Sequence, residues 1–225
     1  MSKKFTWNEN WKFTKDAVTV TDRTTSVGNW ETLNLPHTWN GDDGQDGGSD
    51  YYRGTCYYAK NLSKAEVAGG KEVYIEFEAA NSSAELFVNG ESVAKHDGGY
   101  STWRANITSY LKEENEIVVD NAPNDHVYPQ HADFTFYGGL YRKVSLILVD
   151  ETRFDLDYYG SPAIKVTPEV TGQDAKITTE VYLTNATSAE ELVFTITDGD
   201  TVVDTVTVSA DKTEVEQTIA NVHLW

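Results

Sequence analysis

The residues best suited to chemistry lie at positions 133–142, where one carboxylate, Asp133, stands beside four aromatic rings. The rings belong to Phe134, Phe136, Tyr137 and Tyr141. A carboxylate accepts hydrogen bonds from pairs of sugar hydroxyls, and an aromatic ring covers the apolar face of a pyranose. The run therefore indicates carbohydrate chemistry. A structural alternative stands beside it, because alternating aromatic residues in an all-β protein are also typical of a hydrophobic core.

Residues 42–50 resemble a calcium-binding loop, since carboxylates and glycines alternate along them. If Asp42 is position 1 of such a loop, position 3 is Gly44 and position 12 is Arg53. A calcium loop of that type needs an oxygen ligand and a bidentate glutamate at those two positions. The spacing therefore favours a loop at the edge of a site over a metal site.

A second polar set could be read as ligands of a transition metal, because imidazole and carboxylate groups both suit zinc. Its members are Asp125, His126, His131 and Asp133. Their irregular spacing fits independent polar residues of a loop better. The chain also has no strand-turn-helix nucleophile motif, no phosphate-binding glycine loop and a single cysteine. We therefore expect neither covalent catalysis nor a metal or cofactor in this chain.

The charge balance excludes several classes of partner. With 18 basic and 36 acidic residues the chain carries a net charge of −18, which repels nucleic acids and anionic membrane surfaces. Glycoside hydrolysis needs two suitably spaced carboxyls, but sequence alone cannot identify that pair among so many acids. The N-terminus lacks the apolar core of a signal peptide, and no run is long enough for a membrane helix, so we expect a cytoplasmic protein.

The positions of strand-like runs predict an all-β protein of two units, residues 1–150 and 151–225. In the first unit, Asn89 and Gly90 separate two such runs and predict a tight hairpin, while short helical turns are expected only at 64–67 and 107–113. In the second unit, Thr and Val alternate in strands at 176–183, 192–197 and 201–208, with a hairpin turn at 198–200. About 75 residues of short strands indicate a small immunoglobulin-like sandwich.

Several motifs of the first unit, in this order, resemble glycoside hydrolase family 2, which contains β-galactosidases, β-glucuronidases and β-mannosidases. They lie at residues 35–40 (LPHTWN), 52–54 (YRG), 57–58 (YY), 86–96 (LFVNGESVAKH), 98–100 (GGY), 133–142 (DFTFYGGLYR) and Val144. The resemblance implies an N-terminal sugar-binding jelly roll over residues 1–150. Residues 154–160 (FDLDYYG) and the β-rich remainder resemble the sandwich domain that follows in that family.

The resemblance also implies roles for individual residues. The position of Asp133 matches an aspartate that contacts sugar hydroxyls in β-galactosidases, and Asp46 lies in the region that supplies a second contact at the rim of the substrate site. Arg142 is expected to pair with a carboxylate near the start of the last jelly-roll strand, in either a buried structural or a functional pair. Trp39, Tyr52 and Trp103 are expected to pack in the core or between domains.

In that family the catalytic acid/base and nucleophile are two glutamates on a (β/α)₈ barrel, which needs roughly 250 further residues. The chain is therefore expected to be a non-catalytic N-terminal portion of a β-galactosidase-like enzyme that cleaves terminal β-glycosides. Its partners would be the carbohydrate substrate and its own barrel. An exposed barrel-facing surface would favour self-association into a homo-oligomer. Whether a sodium or magnesium ion lies near Asp133 in the full-length enzyme stays open, as does the choice among galactoside, glucuronide and mannoside.

Two alternatives remain from other functional classes. A stand-alone carbohydrate-binding module would need an exposed aromatic platform, usually together with an export signal. A purely structural or interacting pair of domains would use the acidic surface. Measurable glycoside turnover by the chain alone would contradict the interpretation as a non-catalytic portion.

Overall fold

The computed structural model describes residues 2–15, 29–42, 51–129, 131 and 135–224. Two compact units divide the chain, residues 1–150 and residues 151–225. Both are built from β-strands, which confirms the predicted all-β class. None of the helices in the described ranges has the length and apolar character that a membrane span requires.

The larger sheet of the first unit has six antiparallel strands in the order β3-β2-β4-β9-β6-β7. These are β2 (Trp11–Thr14), β3 (Glu31–Leu33), β4 (Cys56–Ser63), β6 (Ser83–Val88), β7 (Glu91–Asp97) and β9 (Glu114–Ala122). The smaller sheet has four antiparallel strands in the order β1-β10-β5-β8. These are β1 (Lys3–Thr6), β5 (Glu72–Phe77), β8 (Trp103–Asn106) and β10 (Val144–Val149).

The core of the first unit is built from alternate side chains of both sheets, because successive residues of a strand point to opposite faces. Its fully buried members include Trp11, Tyr58, Ile75, Phe77, Leu86, Ile117 and Leu146. Trp39 and Trp103 are each only 6% exposed within this core, and the partly buried Tyr52 packs against it. The predicted packing role of these three aromatic residues is confirmed.

Local sequence signals account for the connections. Asn89 and Gly90 both have positive φ, +53° and +82°, and join β6 to β7 by the predicted two-residue hairpin. Short 3₁₀ helices occupy Lys64–Val67 and Thr108–Tyr110, where helical turns were expected. The side chain of Glu66 accepts a hydrogen bond from the backbone N–H of Ser63 at 2.9 Å, which caps the first of them.

One buried carboxylate lies on the four-stranded sheet. Glu76 of β5 is 2% exposed, and its oxygens accept hydrogen bonds from Lys4 of β1 and, at 2.6 Å, from Nε of Arg104 on β8. Burial raises the pKa of Glu76, but the hydrogen bonds from Lys4 and Arg104 outweigh it and hold the pKa below its ordinary value. This charged group therefore connects three strands of the sheet.

The second unit consists of shorter antiparallel groups of strands, β11-β14, β12-β13-β17 and β15-β16. Their bounds are β11 (Arg153–Phe154), β12 (Ile164–Thr171), β13 (Asp174–Val181), β14 (Leu183–Thr184), β15 (Glu191–Asp198), β16 (Thr201–Ser209) and β17 (Glu214–Ile219). Val181, Phe194 and Val215 form its buried core. Gly199, with φ +57°, helps close the hairpin between β15 and β16 as predicted. The immunoglobulin-like arrangement of these strands stays a prediction.

Candidate functional site

The glycine pair at the end of the aromatic run is fixed by three buried asparagines. The side-chain oxygen of Asn40 accepts from the backbone N–H of Gly138, and that of Asn121 accepts from the N–H of Gly139, each at 2.9 Å. The backbone N–H of Asn81 donates to the carbonyl of Gly139 at 3.2 Å. The three asparagine side chains are at most 4% exposed. Both backbone N–H groups of the glycine pair and the carbonyl of Gly139 are therefore satisfied inside the protein.

Both positions require glycine. A Cβ on Gly138 would lie 2.0 Å from the indole ring of Trp39. Gly139 has φ +118°, and a Cβ there would lie 2.5 Å from the carbonyl oxygen of His37. Glycine permits both the left-handed backbone and the close approach. The segment that leads from the aromatic run into β10 is thus set by backbone contacts that a side chain would break.

Four aromatic rings from three loops gather beside this glycine pair. Tyr128 and Phe136 are stacked, with ring centroids 4.6 Å apart. The ring of Tyr100 lies 6.2 Å from Tyr128 and 6.3 Å from Tyr141. We call these three tyrosines and one phenylalanine the tyrosine cluster. Burial, followed by the neighbouring phenols, raises the pKa of Tyr128 to about 12, so its hydroxyl stays protonated at neutral pH.

The cluster lies partly open to solvent. Tyr100 is 62% exposed, and Tyr137, next to Phe136 in sequence, is 39% exposed. The two interpretations of this run, as hydrophobic core and as sugar-binding surface, each apply to part of it. Gly138, Gly139 and Leu140 are buried. Phe136 and Tyr141 are half-buried, and Tyr137 is exposed. An exposed aromatic surface with phenol hydroxyls can cover an apolar sugar face and form hydrogen bonds to sugar hydroxyls.

Backbone carbonyls and two arginines order the cluster. The Tyr141 hydroxyl donates to the carbonyl of Gly99, and the Tyr51 hydroxyl donates to that of Phe136. Nη1 of Arg142 donates to the carbonyl of Tyr100 at 3.2 Å, and its guanidinium lies 5.6 Å from the Tyr141 ring centre. The guanidinium of Arg53 lies 4.9 Å from the ring of Tyr51. These contacts hold the loops around the rings in place.

Arg142 corrects one expectation from the sequence. A buried pair with a carboxylate was one of two roles foreseen for it, but the side chain is exposed. It precedes β10 by two residues and reaches the loop of Tyr100 instead of the sheet interior. The buried carboxylate of Glu76 forms its ion pairs with Arg104 and Lys4.

The two residues predicted to contact substrate, Asp133 and Asp46, lie outside the described residues. Thr135 is the first described residue after Asp133, and Asp42 is the last described one before Asp46. Asp133 was also one of the four polar residues weighed as zinc ligands and set aside for their irregular spacing; of the others, His126 and His131 are both exposed. Within the described ranges, no group of three His, Cys, Asp or Glu side chains is placed to hold a metal ion.

The sequence analysis predicted neither the hydrogen bonds of the three asparagines to the glycine pair nor the place of Tyr128 in the tyrosine cluster. Asn40 and Gly138 are 98 residues apart, so no local pattern links them. Asn40 and Tyr100 do lie within the motifs of residues 35–40 and 98–100, and membership of these motifs was the one sequence feature that could have marked them as site residues. Asn81, Asn121 and Tyr128 belong to none of those motifs.

Comparisons with known proteins agree with this geometry. Residues 45–150 match the family model described as glycosyl hydrolases family 2, sugar binding domain. A beta-glucuronidase of Bacteroides fragilis is 37% identical over 183 residues, which cover 78% of this chain and 26% of that protein. A beta-galactosidase of Thermoanaerobacter pseudethanolicus is 31% identical over 170 residues, covering 68% of this chain and 23% of that protein. The chain thus spans about a quarter of the length of these curated relatives.

Solved structures show the same similarity in three dimensions. The crystal structure of an FMN-binding beta-glucuronidase from Facaelibacterium prausnitzii L2-6 aligns with a TM-score of 0.86 at 36% identity, covering all of this chain and 35% of that one. A beta-glucuronidase of Bacteroides uniformis aligns with a TM-score of 0.79 at 26% identity, covering all of this chain and 29% of that one. The whole chain, including residues outside the family match, therefore has counterparts in longer glycosidases.

Proposed function

We propose, from the premise that this chain carries the sugar-binding domain of glycoside hydrolase family 2, that it is the N-terminal, non-catalytic portion of a longer β-glycosidase. The two catalytic glutamates of such an enzyme would belong to its barrel. The chain's own contribution would be to line the rim of the substrate site. A terminal β-glucuronide is the first substrate candidate, because the Bacteroides fragilis relative and the structure with the highest TM-score quoted above are both beta-glucuronidases.

The observation that carries this proposal is the partly exposed tyrosine cluster beside the fixed glycine pair. Gly138, which Asn40 holds, is five residues after Asp133 in the sequence, and five residues of fully extended chain span at most about 18 Å. A carboxylate held near aromatic rings can accept hydrogen bonds from sugar hydroxyls while a ring covers the sugar face. We propose that Asp133 and Asp46 supply such contacts.

A terminal β-galactoside is the second candidate. It is favoured by the beta-galactosidase relative at 31% identity. The two candidates differ at C6, where a glucuronide carries a carboxylate and a galactoside a hydroxymethyl group, and in the configuration of the hydroxyl at C4. The chain's acidic balance would not itself attract that carboxylate, so the choice would fall to residues of the barrel.

The test uses the longer protein and the present chain side by side. Hydrolysis of p-nitrophenyl β-D-glucuronide and β-D-galactoside is measured for both. We expect turnover by the longer protein and none by the chain. Substituting Asp133→Asn or Asp46→Asn in the longer protein should lower kcat/KM at least tenfold, because a hydroxyl contact to a carboxylate is lost.

Matched controls are Asp125→Asn and Asp42→Asn, which remove exposed acids from the same two stretches of chain. Both should leave kcat/KM within about twofold. Turnover by the 225-residue chain alone would overturn the non-catalytic assignment. Unchanged kinetics of Asp133→Asn would overturn its proposed substrate contact.

A further inference from the structure

The second unit presents one aromatic ring to solvent in an unusual backbone conformation. Tyr159 is 89% exposed and has φ +51°. This left-handed conformation disfavours residues that carry a Cβ, and glycine or asparagine usually occupies it. A bulky ring at such a position gains nothing from burial. Its presence points to a role at the surface.

The turn that carries Tyr159 is held by short-range hydrogen bonds. The backbone N–H of Tyr159 donates to the carbonyl of Asp157 at 2.8 Å, and that of Ser161 donates to the carbonyl of Tyr158 at 2.9 Å. The hydroxyl of Ser161 donates to the same carbonyl at 2.6 Å and accepts from the N–H of Ala163 at 3.1 Å. The ring is therefore presented by an ordered turn.

Two more rings support it. Tyr158 stacks on Tyr182 with centroids 3.7 Å apart and an angle of 14° between the rings. Tyr159 meets Tyr158 edge to face, with ring centroids 5.1 Å apart and an angle of 73° between the rings. The hydroxyl of Tyr158 is the main cause that raises the pKa of Tyr182 to about 12, so Tyr182 remains a neutral hydrogen-bonding phenol at physiological pH. We call these three residues the tyrosine platform.

A cleft of about 280 Å³ adjoins the platform through Tyr182. Its polar lining comes from Asp155, Glu180, Thr213 and Glu214. This volume lies just below the range of about 300–1,000 Å³ for small-molecule sites, which suits a single sugar ring. Carboxylates accept hydrogen bonds from hydroxyl groups, and Lys165 already pairs with Glu180. Three carboxylates against one paired lysine favour a neutral ligand over an anionic one.

We propose that the tyrosine platform and the adjoining cleft form a binding site for a neutral oligosaccharide of equatorially substituted pyranoses. One ring would lie on Tyr159, where its flat C–H face covers the exposed aromatic surface. A neighbouring sugar would place hydroxyls against Asp155 and Glu214. The site lies wholly in residues 151–225 and does not depend on the function proposed for residues 45–150.

The test is a titration of the 225-residue chain with cellotetraose, a neutral β-linked glucose tetrasaccharide, followed by saturation-transfer NMR. We expect binding with aromatic protons of tyrosine as the source of transfer. Tyr159→Ala should weaken the affinity at least fivefold, and Tyr159→Trp should retain it. Tetragalacturonate, which has the same length but carries four carboxylates, should bind at least tenfold more weakly.

Two further variants make the result decisive. Tyr159→Gly should weaken the affinity at least as much as Tyr159→Ala without lowering the melting temperature, because glycine adopts the left-handed conformation without strain. Val193→Ala, which removes another exposed apolar side chain of the same unit, should bind like the unaltered chain. Equal affinities of the unaltered chain and Tyr159→Ala, or no binding of cellotetraose, would overturn the proposal. Self-association that disappears in Tyr159→Ala would instead assign the ring to a protein contact and also overturn it.

Discussion

The side-chain oxygen of Asn121 accepts a hydrogen bond from the backbone N–H of Gly139 at 2.9 Å, and Asn121 is fully buried. Its Nδ2 donates to the carbonyl of Ser83 at 2.7 Å. One amide thus connects β9, the start of β6 and the segment before β10. Because the segment before β10 carries the tyrosine cluster, the fold and the candidate site meet at this side chain.

Replacing Asn121 with alanine should therefore destabilise the first unit. The change leaves the N–H of Gly139 buried without its acceptor, which costs about 1–3 kcal/mol. Urea denaturation followed by tryptophan fluorescence measures the loss. Asn124→Ala is the control, since Asn124 is only half-buried and bonds to the Ser83 side chain, and its loss should be smaller. Equal stabilities of the two variants would contradict the central position of Asn121.

Gly138→Ala tests the close approach of the backbone to Trp39. The new methyl group would lie 2.0 Å from the indole, so the ring or the backbone must move. We expect a loss of about 3 kcal/mol or more in the free energy of unfolding. In Gly41→Ala the nearest atom outside the chain neighbours, on Thr38, would lie 3.7 Å away, so that variant should unfold like the original. Thermal melting by circular dichroism compares the two; a neutral Gly138→Ala would refute the steric argument.

Glu76 should make the stability of the first unit depend on acidic pH. Its pKa in the folded protein lies below its ordinary value of 4.5, so the unfolded chain binds more protons there. The stability from Glu76 is present above pH 4.5 and is lost as the pH falls through the folded pKa. Glu76→Gln should lose on the order of 3 kcal/mol at pH 7, because Arg104 would be left without its carboxylate.

The measurement compares denaturation midpoints at pH 7 and pH 3. The decline between these two values should be smaller for Glu76→Gln than for the unaltered chain. Glu91→Gln alters an exposed acid on β7 and should show the full decline. A full decline in Glu76→Gln would mean that other carboxyls cause the acid sensitivity.

Tyr100→Ala separates binding from folding. The side chain is 62% exposed, so the stability of the chain should change by less than about 0.5 kcal/mol. If the chain belongs to the proposed longer β-glycosidase, the loss of an aromatic sugar contact should lower the kcat/KM of that enzyme about fivefold, equivalent to about 1 kcal/mol. The exposed Val202→Ala serves as the control and should alter neither quantity. Unchanged kinetics in Tyr100→Ala would remove Tyr100 from the proposed substrate rim.

The parts of the fold that sequence could predict are those set by neighbouring residues. The hairpins at Asn89-Gly90 and Gly199 follow from the backbone preferences of one or two residues. The strand over residues 144–149 follows from an apolar run that only Ser145 interrupts. Arg142 shows where prediction from neighbouring residues ends, because its exposure depends on a loop about 40 residues earlier in the chain.

The candidate site was only partly predictable for the same reason. The chemistry of residues 133–142 indicated sugar binding, but which rings would be exposed depends on contacts made after folding. Asn40 and Asn121 act through hydrogen bonds to residues 98 and 18 positions away. Periodicity cannot show such pairs, because each asparagine resembles any other polar residue along a strand or loop.

The hydrogen bonds that Asn40 and Asn121 accept from the glycine pair also mark out an interval of the chain for protein engineering. Ala122 ends β9 and Gly138 begins the fixed segment, so the residues between them are attached to the sandwich at two firmly held points. A library that varies this interval, in sequence or in length, should leave both sheets intact. New ligand preferences could then be selected from this one interval of the sequence while the rest of the chain is left unchanged.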